Sequence, residues 1–268
     1  MYSLIDSGFE EKLERFGKQT LIRPSSAAVW KPDDPKLWKN ADAHFTRTPA
    51  NRWTGREKLP KSWEIELSGL TFRIEPSDFG HLGIFPEHES HWLWVEERLK
   101  GKKANVLNLF AYTGAATLAA ARAGASVCHL DASKPMVEWA RENANLNHLN
   151  DRPIRWIVDD VMKFLRREVR RERKYDAILL DPPTFGRGPN GELFKIESAM
   201  GELLDLCKKL LSDNPLFLLL TCHTPGFTPT VLQNLLKQTF AGGKVEAGET
   251  LIEAKIPLPA GTYARWLP

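Results

Sequence analysis

The stretch Asn108-Leu109-Phe110-Ala111-Tyr112-Thr113-Gly114 decides the fold. It joins an apolar run, residues 104–110, to an alanine-rich run, residues 115–123, that stops at Gly124. The first run has the composition of a buried strand and the second that of a helix, and a glycine just past the helix suits its C-cap. Gly114 removes a Cβ where backbone must approach a ligand. Only one glycine is present, so a G-x-G-x-x-G cradle for pyrophosphate is poorly supported, and the turn suits a ligand without phosphate.

Downstream, the pattern repeats. Strands are predicted at 126–130, 154–158, 177–180 and 216–221, with helices at about 134–145, from Met162, at about 197–211 and at about 229–240. This alternation predicts an α/β fold, a doubly wound and mostly parallel sheet, whose ligands bind beyond the carboxyl ends of the strands. Asp131 ends the second strand, with Ala132 after it, and its carboxylate is placed to accept both hydroxyls of a ribose. The alternative for Asp131 is a helix N-cap, for which Ser133 competes. The third strand runs into Asp159-Asp160-Val161, where a carboxylate can accept from an adenine amino group while the next backbone N–H donates to a ring nitrogen. Either aspartate suits that role, and both also suit the positive end of the following helix. Together these strand ends describe an adenosine pocket with no phosphate.

The fourth strand runs into Asp181-Pro182-Pro183-Thr184-Phe185. Two consecutive prolines fix a backbone that continues neither strand nor helix, which suits a loop that positions a target. The fifth strand delivers Cys222, followed by His223, to the same edge.

Upstream, six of the nine tryptophans (Trp30, Trp38, Trp53, Trp63, Trp92, Trp94) fall in the first hundred residues. The organisation is therefore read as a Trp-rich, β-containing segment at 1–100 and a ligand-binding domain at 101–268. Trp63, Ile65 and Leu67, then Leu70, Phe72 and Ile74, alternate about Ser68-Gly69 as a β-hairpin would. The tryptophans either fill a thin core or form a platform for stacking nucleobases, and the first reading is preferred.

Bulk properties exclude several classes. The 268 residues, 42% hydrophobic and 26% charged, describe an ordinary globular chain. No run approaches 18 apolar residues and the charged N-terminus lacks a signal-peptide core, so a cytoplasmic protein with no membrane partner is expected. Cys128, Cys207 and Cys222 show no C-x-x-C spacing, which predicts neither disulfides nor structural zinc. His81, His88 and His91 lack the i, i+4 spacing of a helical zinc motif, and no metal is expected. A net charge of +3 is compatible with a nucleic-acid partner without requiring one. Arg166-Arg167 and Arg170 to Lys174 form a basic face that reads equally as a contact for RNA phosphates or a solvated surface.

As a set, Asn-Leu-Phe-Ala-Tyr-Thr-Gly, Leu-Asp-Ala-Ser at 130–133, Asn143-Ala144-Asn145-Leu146-Asn147, Asp159-Asp160-Val161 and Asp-Pro-Pro-Thr-Phe resemble the class I S-adenosylmethionine-dependent methyltransferases. Within these the chain resembles the bacterial 23S ribosomal RNA large-subunit methyltransferases that modify cytosine C5 or guanine N7. The resemblance covers roughly residues 65–225 and implies S-adenosylmethionine as cofactor and RNA as substrate. It implies that Asn108, Phe110 and Tyr112 to Gly114 flank the methionine part of the cofactor, that Asp131 with Ala132 holds its ribose, and that Asp160 with Val161 holds its adenine. Phe85 carries over as a further cofactor residue. It also implies that Asp181 meets both cofactor and target base, with Pro182, Pro183 and Phe185 against the substrate. In the cytosine branch Cys222 corresponds to a nucleophile. A thiolate adding to C6 makes C5 able to attack the methyl group, and a base then removes the C5 proton. Cytosine C5 is thus the favoured target and guanine N7 the second. The rivals are a small-molecule or protein acceptor on the same fold, and a non-catalytic RNA-binding relic of the pocket.

Overall fold

Alternation of apolar and polar side chains builds seven strands before the first α-helix of the computed structural model, which describes residues 1–268: β1 (Tyr2–Gly8), β2 (Glu11–Phe16), β3 (Gln19–Pro24), β4 (Ala43–Thr46), β5 (Arg52–Thr54), β6 (Trp63–Leu67) and β7 (Leu70–Ile74). The chain divides into two compact units, Met1–Glu89 with Thr250–Ala260, and Ser90–Glu249 with Gly261–Pro268.

In the first unit β1 to β5 form one sheet in sequential order, with only β3 and β4 parallel. The expected hairpin is present as β6–β7, with Ile65 opposite Phe72 and Leu67 opposite Leu70. Ser68 and Gly69 both take positive φ, the geometry of a two-residue turn that matches strand twist. Four of the tryptophans act as staples. The indole N–H groups of Trp30, Trp53 and Trp63 donate to the carbonyls of Ser7, Ser77 and Phe16, and that of Trp38 donates to Asp6. Buried Asp6 also accepts the backbone N–H groups of Ser7, Asp33 and Asp34. Burial opposes its ionisation, but the donors from Trp38, Asp33, Asp34 and Ser7 outweigh it and lower the carboxyl's pKa. Buried Glu14 receives the Arg23 guanidinium at 2.7 Å and the Tyr2 hydroxyl at 2.9 Å.

The second unit continues with α1 (Glu89–Leu99), β8 (Asn105–Leu109), α2 (Ala115–Arg122), β9 (Ser126–Asp131), α3 (Lys134–Leu146), β10 (Ile154–Val158), α4 (Val161–Arg170), β11 (Ala177–Leu180), β12 (Phe185–Arg187), β13 (Leu193–Lys195), α5 (Ile196–Leu210), β14 (Phe217–Cys222) and α6 (Pro229–Thr239). β15 (Lys244–Ile252) and β16 (Leu258–Leu267) complete the chain. The main sheet has the order β10-β9-β8-β11-β14-β16-β15. Its first five strands are parallel and β16 runs antiparallel to β14, so the doubly wound α/β expectation holds. Alternate residues of each strand serve opposite layers. Leu107, Leu109, Ile178 and Leu180 pack with α4, α5 and α6, whereas Val106, Ala177 and Leu179 pack with α1 and α2. No helix is long and apolar enough to cross a membrane.

The sequence pattern did not indicate β12–β13 or the last two strands. Short polar strands and late antiparallel additions lack the uninterrupted apolar run of a central parallel strand. Helix α4 starts at Val161, one residue before the expected Met162, because Asp160 caps it by accepting the Lys163 N–H at 2.9 Å.

Replacing Asp6 by alanine should destabilise the first unit by about 2 kcal/mol, since several donors lose one charged acceptor. Tryptophan-detected urea unfolding measures it; an unchanged midpoint would contradict the staple role. Because the folded pKa of Asp6 lies below its unfolded value, its contribution is present above the ordinary aspartate range and is lost as pH falls through the folded value.

Candidate functional site

Parallel strands end together, so the turns after β8, β9, β10, β11 and β14 share one edge of the second unit. After β8 the backbone takes unusual conformations in quick succession, with φ of 55° at Phe110, 50° at Tyr112 and 91° at Gly114. Left-handed non-glycine residues are strained and persist only where neighbours hold them. Here the holding groups are identifiable. Asp131 accepts the Tyr112 N–H at 2.9 Å on one carboxylate oxygen and the Ser133 N–H at 2.8 Å on the other. Ala111 N–H donates to the Leu130 carbonyl, and buried Asn143 of α3 donates its amide to the Thr113 carbonyl at 3.0 Å. A side chain at Gly114 would set its Cβ 3.0 Å from that of Ala140, so only glycine admits α3 this close.

Beneath the turn lies a buried polar chain. The Asn108 amide donates to Thr117 Oγ1 at 2.9 Å, and that hydroxyl lies 2.9 Å from His129 Nδ1. Burial pushes the His129 imidazole down to about 3, with Arg141 adding to the shift, so the ring is neutral and can accept the hydroxyl proton at Nδ1. Its Nε2 is buried without a hydrogen-bond partner and the ring tilts against Trp156 at 4.8 Å.

Asp131 holds backbone donors on both oxygens, and a carboxylate has lone pairs enough to accept a ribose hydroxyl besides. Burial raises its pKa against the N–H groups of Ser133, Tyr112 and Ala132. The two aspartates after β10 separate clearly. Asp159 pairs with Arg167 at 2.5 Å, whereas Asp160 is buried, caps α4 with one oxygen and directs the other toward Gly188. Val161 is the first residue of α4 and is buried.

After β11, Asp181 Oδ1 accepts the Thr221 hydroxyl at 2.7 Å, and His223 Nε2 lies 3.7 Å from the same oxygen. Thr184 and Thr224 join the loops after β11 and β14 through their hydroxyls at 2.8 Å. Pro182 is buried, whereas Pro183 and Phe185 are exposed. Cys222 closes β14 inside the apolar core, 1% exposed, with Sγ accepting the Thr224 N–H at 3.4 Å. Burial pushes its thiol up, partly opposed by Thr224 and reinforced by the Asp181 charge. Phe85 belongs to the other unit, where its ring meets those of His81 and His88.

Tyr112 is thus tied to Asp131 and Thr113 to α3, with Phe110 and Gly114 in the same turn and Asn108 in the buried chain beneath it. Thr117, His129 and Asn143 complete this arrangement and were not singled out from sequence; polar residues at otherwise apolar positions of a strand and two helices were the available signal. The basic face proves partly committed. Arg166 pairs with Glu202, Arg167 with Asp159 and Arg171 with Glu168.

A glycine turn without a phosphate cradle, followed by acidic strand ends and a proline-fixed loop, defines a class of nucleoside-cofactor transferases. The profile of the S-adenosylmethionine-dependent methyltransferases matches residues 9–234, and the chain belongs to this family. The family is one of enzymes that use S-adenosylmethionine. The ribosomal RNA large subunit methyltransferase K/L of Pseudomonas paraeruginosa is 36% identical over 154 residues, 57% of this chain and 20% of that protein. The chain thus spans about a fifth of the length of the curated relatives it matches. An S-adenosylmethionine-dependent methyltransferase from Agrobacterium tumefaciens superimposes with a TM-score of 0.95 at 40% identity, covering 100% of this chain and 90% of that one. The tRNA (uracil-54, C5)-methyltransferase of Pyrococcus abyssi, solved with S-adenosyl-L-homocysteine, shares the fold with a TM-score of 0.53 at 15% identity, over 96% of this chain and 59% of that one.

His129 couples stability to acid. Its folded pKa of about 3 lies below the unfolded 6.5, so its contribution is complete above 6.5 and is lost as pH falls from 6.5 toward 3. The limiting slope is about 1.4 kcal/mol per pH unit. Urea midpoints taken across this range should fall less steeply in His129→Asn than in the wild type; equal slopes would contradict a neutral buried imidazole.

Proposed function

We propose that this enzyme transfers a methyl group to a nitrogen of a base in RNA, ribosomal RNA being the first substrate to test. The observation that carries this reading is the position of Asp181, an ionisable acceptor held by Thr221 at the end of β11 and framed by a proline-fixed loop. The name of the large-subunit relatives supports RNA as the acceptor class.

S-adenosylmethionine, when bound, supplies an electrophilic methyl group on its sulfonium. The turn from Asn108 to Gly114 would wall the methionine side, Asp131 with Ala132 would accept the ribose hydroxyls, and Asp160 with the Val161 N–H would read adenine. Asp181 would accept a hydrogen bond from the N–H of an exocyclic base nitrogen and take up the proton that nitrogen loses on methylation; guanine N7, which bears no proton, would need positioning alone. Pro182 and Pro183 fix the loop in that pose, and Phe185 meets the substrate. Alignment of this kind carries much of the rate in a direct displacement.

The thiol route to cytosine C5 fits the site less well. A thiolate is the nucleophile, and Cys222 is buried in the core with its thiol raised and its sulfur engaged by Thr224. A nitrogen acceptor requires no covalent adduct.

The test is transfer of labelled methyl to unmodified ribosomal RNA, proteins and small metabolites, with mass mapping of the nucleosides. Label on a base nitrogen is expected; label confined to metabolites or protein would end the RNA reading. Asp181→Asn should lower kcat by about a hundredfold, and Cys222→Ala should retain activity within about threefold. Loss of all activity in a folded Cys222→Ala enzyme would restore the thiol adduct.

A further inference from the structure

The target loop does not end at Phe185. Beyond it β12 and β13 form a two-stranded sheet in which Phe185 pairs with Lys195, Gly186 with Phe194 and Arg187 with Leu193. Side chains alternate across a strand, so Phe185, Arg187, Leu193 and Lys195 share one face. All four are exposed, Phe185 by 56% and Leu193 by 66%.

The opposite face is fixed to the methyl-transfer site. Phe194 is buried and its ring lies 5.1 Å from that of Phe110 in the cofactor turn. At Gly188 an added Cβ would come within 3.1 Å of Asp160 Oδ2, so the hairpin also abuts the predicted adenine end. Its tip is closed by Gly188 N–H donating to the Glu192 carbonyl at 2.8 Å, and the Glu192 carboxylate pairs with Lys163 of α4. At its base Ile196 N–H donates to the Thr184 carbonyl at 3.2 Å. The outward face is thus a braced platform, continuous with Asp181-Pro182-Pro183.

Two large apolar side chains kept in water beside two cations suit a partner that is both planar and anionic. Aromatic stacking with phosphate contacts is how single-stranded nucleic acid is held, whereas a duplex hides its base faces. We propose that the outward face of β12–β13 binds an unpaired segment of RNA flanking the target nucleotide, with Phe185 stacking on a base and Arg187 and Lys195 holding phosphates. The inference rests on the RNA reading of the active site and adds to it the form of the substrate, a nucleotide in a loop or bulge and not within a helix. Lys163, Arg166 and Arg167 of α4 are tied to carboxylates, whereas Arg187 and Lys195 take part in no ion pair, which leaves them to phosphate.

The experiment measures binding of a fluorescent 12-nucleotide single-stranded oligoribonucleotide, and of its duplex, to the full chain loaded with S-adenosylhomocysteine, alongside methyl transfer to ribosomal RNA. Phe185→Ala should weaken single-strand binding about tenfold. Arg187→Ala/Lys195→Ala should lower the slope of log affinity against log salt by about 1.4. The cofactor's Kd and the melting temperature should stay unchanged in both, and the effect on methylation should fall on KM for RNA more than on kcat. Wild type that binds and methylates RNA while both variants match it would overturn the hairpin inference and leave the RNA reading standing; so would tighter binding of the duplex. Wild type that neither binds nor methylates RNA would overturn both.

Discussion

Asp131 is the group on which the active edge depends. Its two oxygens hold the N–H groups of Tyr112 and Ser133, so one carboxylate ties the turn after β8 to the turn after β9. Without that tie the left-handed conformations at Phe110 and Tyr112 have little to hold them. The price of the arrangement is a carboxylate desolvated by burial, offset by the backbone donors and available to a ribose through its remaining lone pairs. The structural tie and the proposed ribose contact would thus reside in the same two atoms.

Around this tie the parallel sheet does the rest. β8, β9, β10, β11 and β14 lie side by side in register, so acidic and proline-bearing ends distant in sequence meet along one edge. The two helical layers on β8 and β11 hold those ends in place, since close-packed cores transmit small displacements instead of absorbing them. Asn143 and Ala140 extend the same logic to α3, one by a hydrogen bond to the turn and the other by contact with Gly114.

Much of this was legible in the sequence, for a physical reason. Central strands buried on both faces read as apolar runs, and they end where a polar residue leaves the core, which is where Asp131 and Asp181 stand, with Asp160 following the edge strand β10. The supports beneath the turn were hidden because Thr117, His129 and Asn143 act through partners far away in the chain. β12–β13 was hidden because its exposed face mixes Phe185, Arg187, Leu193 and Lys195, an alternation that a soluble hairpin does not need. The tryptophans of the first unit are half-buried, and the acceptors of their indole N–H groups, Asp6 and three backbone carbonyls, emerge only in three dimensions.

The central claim is that one carboxylate both sets the turn and receives the cofactor. Calorimetric titration of Asp131→Asn with S-adenosylhomocysteine, paired with its thermal unfolding, tests it most directly. The account predicts that affinity falls by at least about tenfold, the loss of one charged hydrogen bond, in a protein that still unfolds cooperatively. Affinity equal to the wild type in a fully folded variant would contradict it.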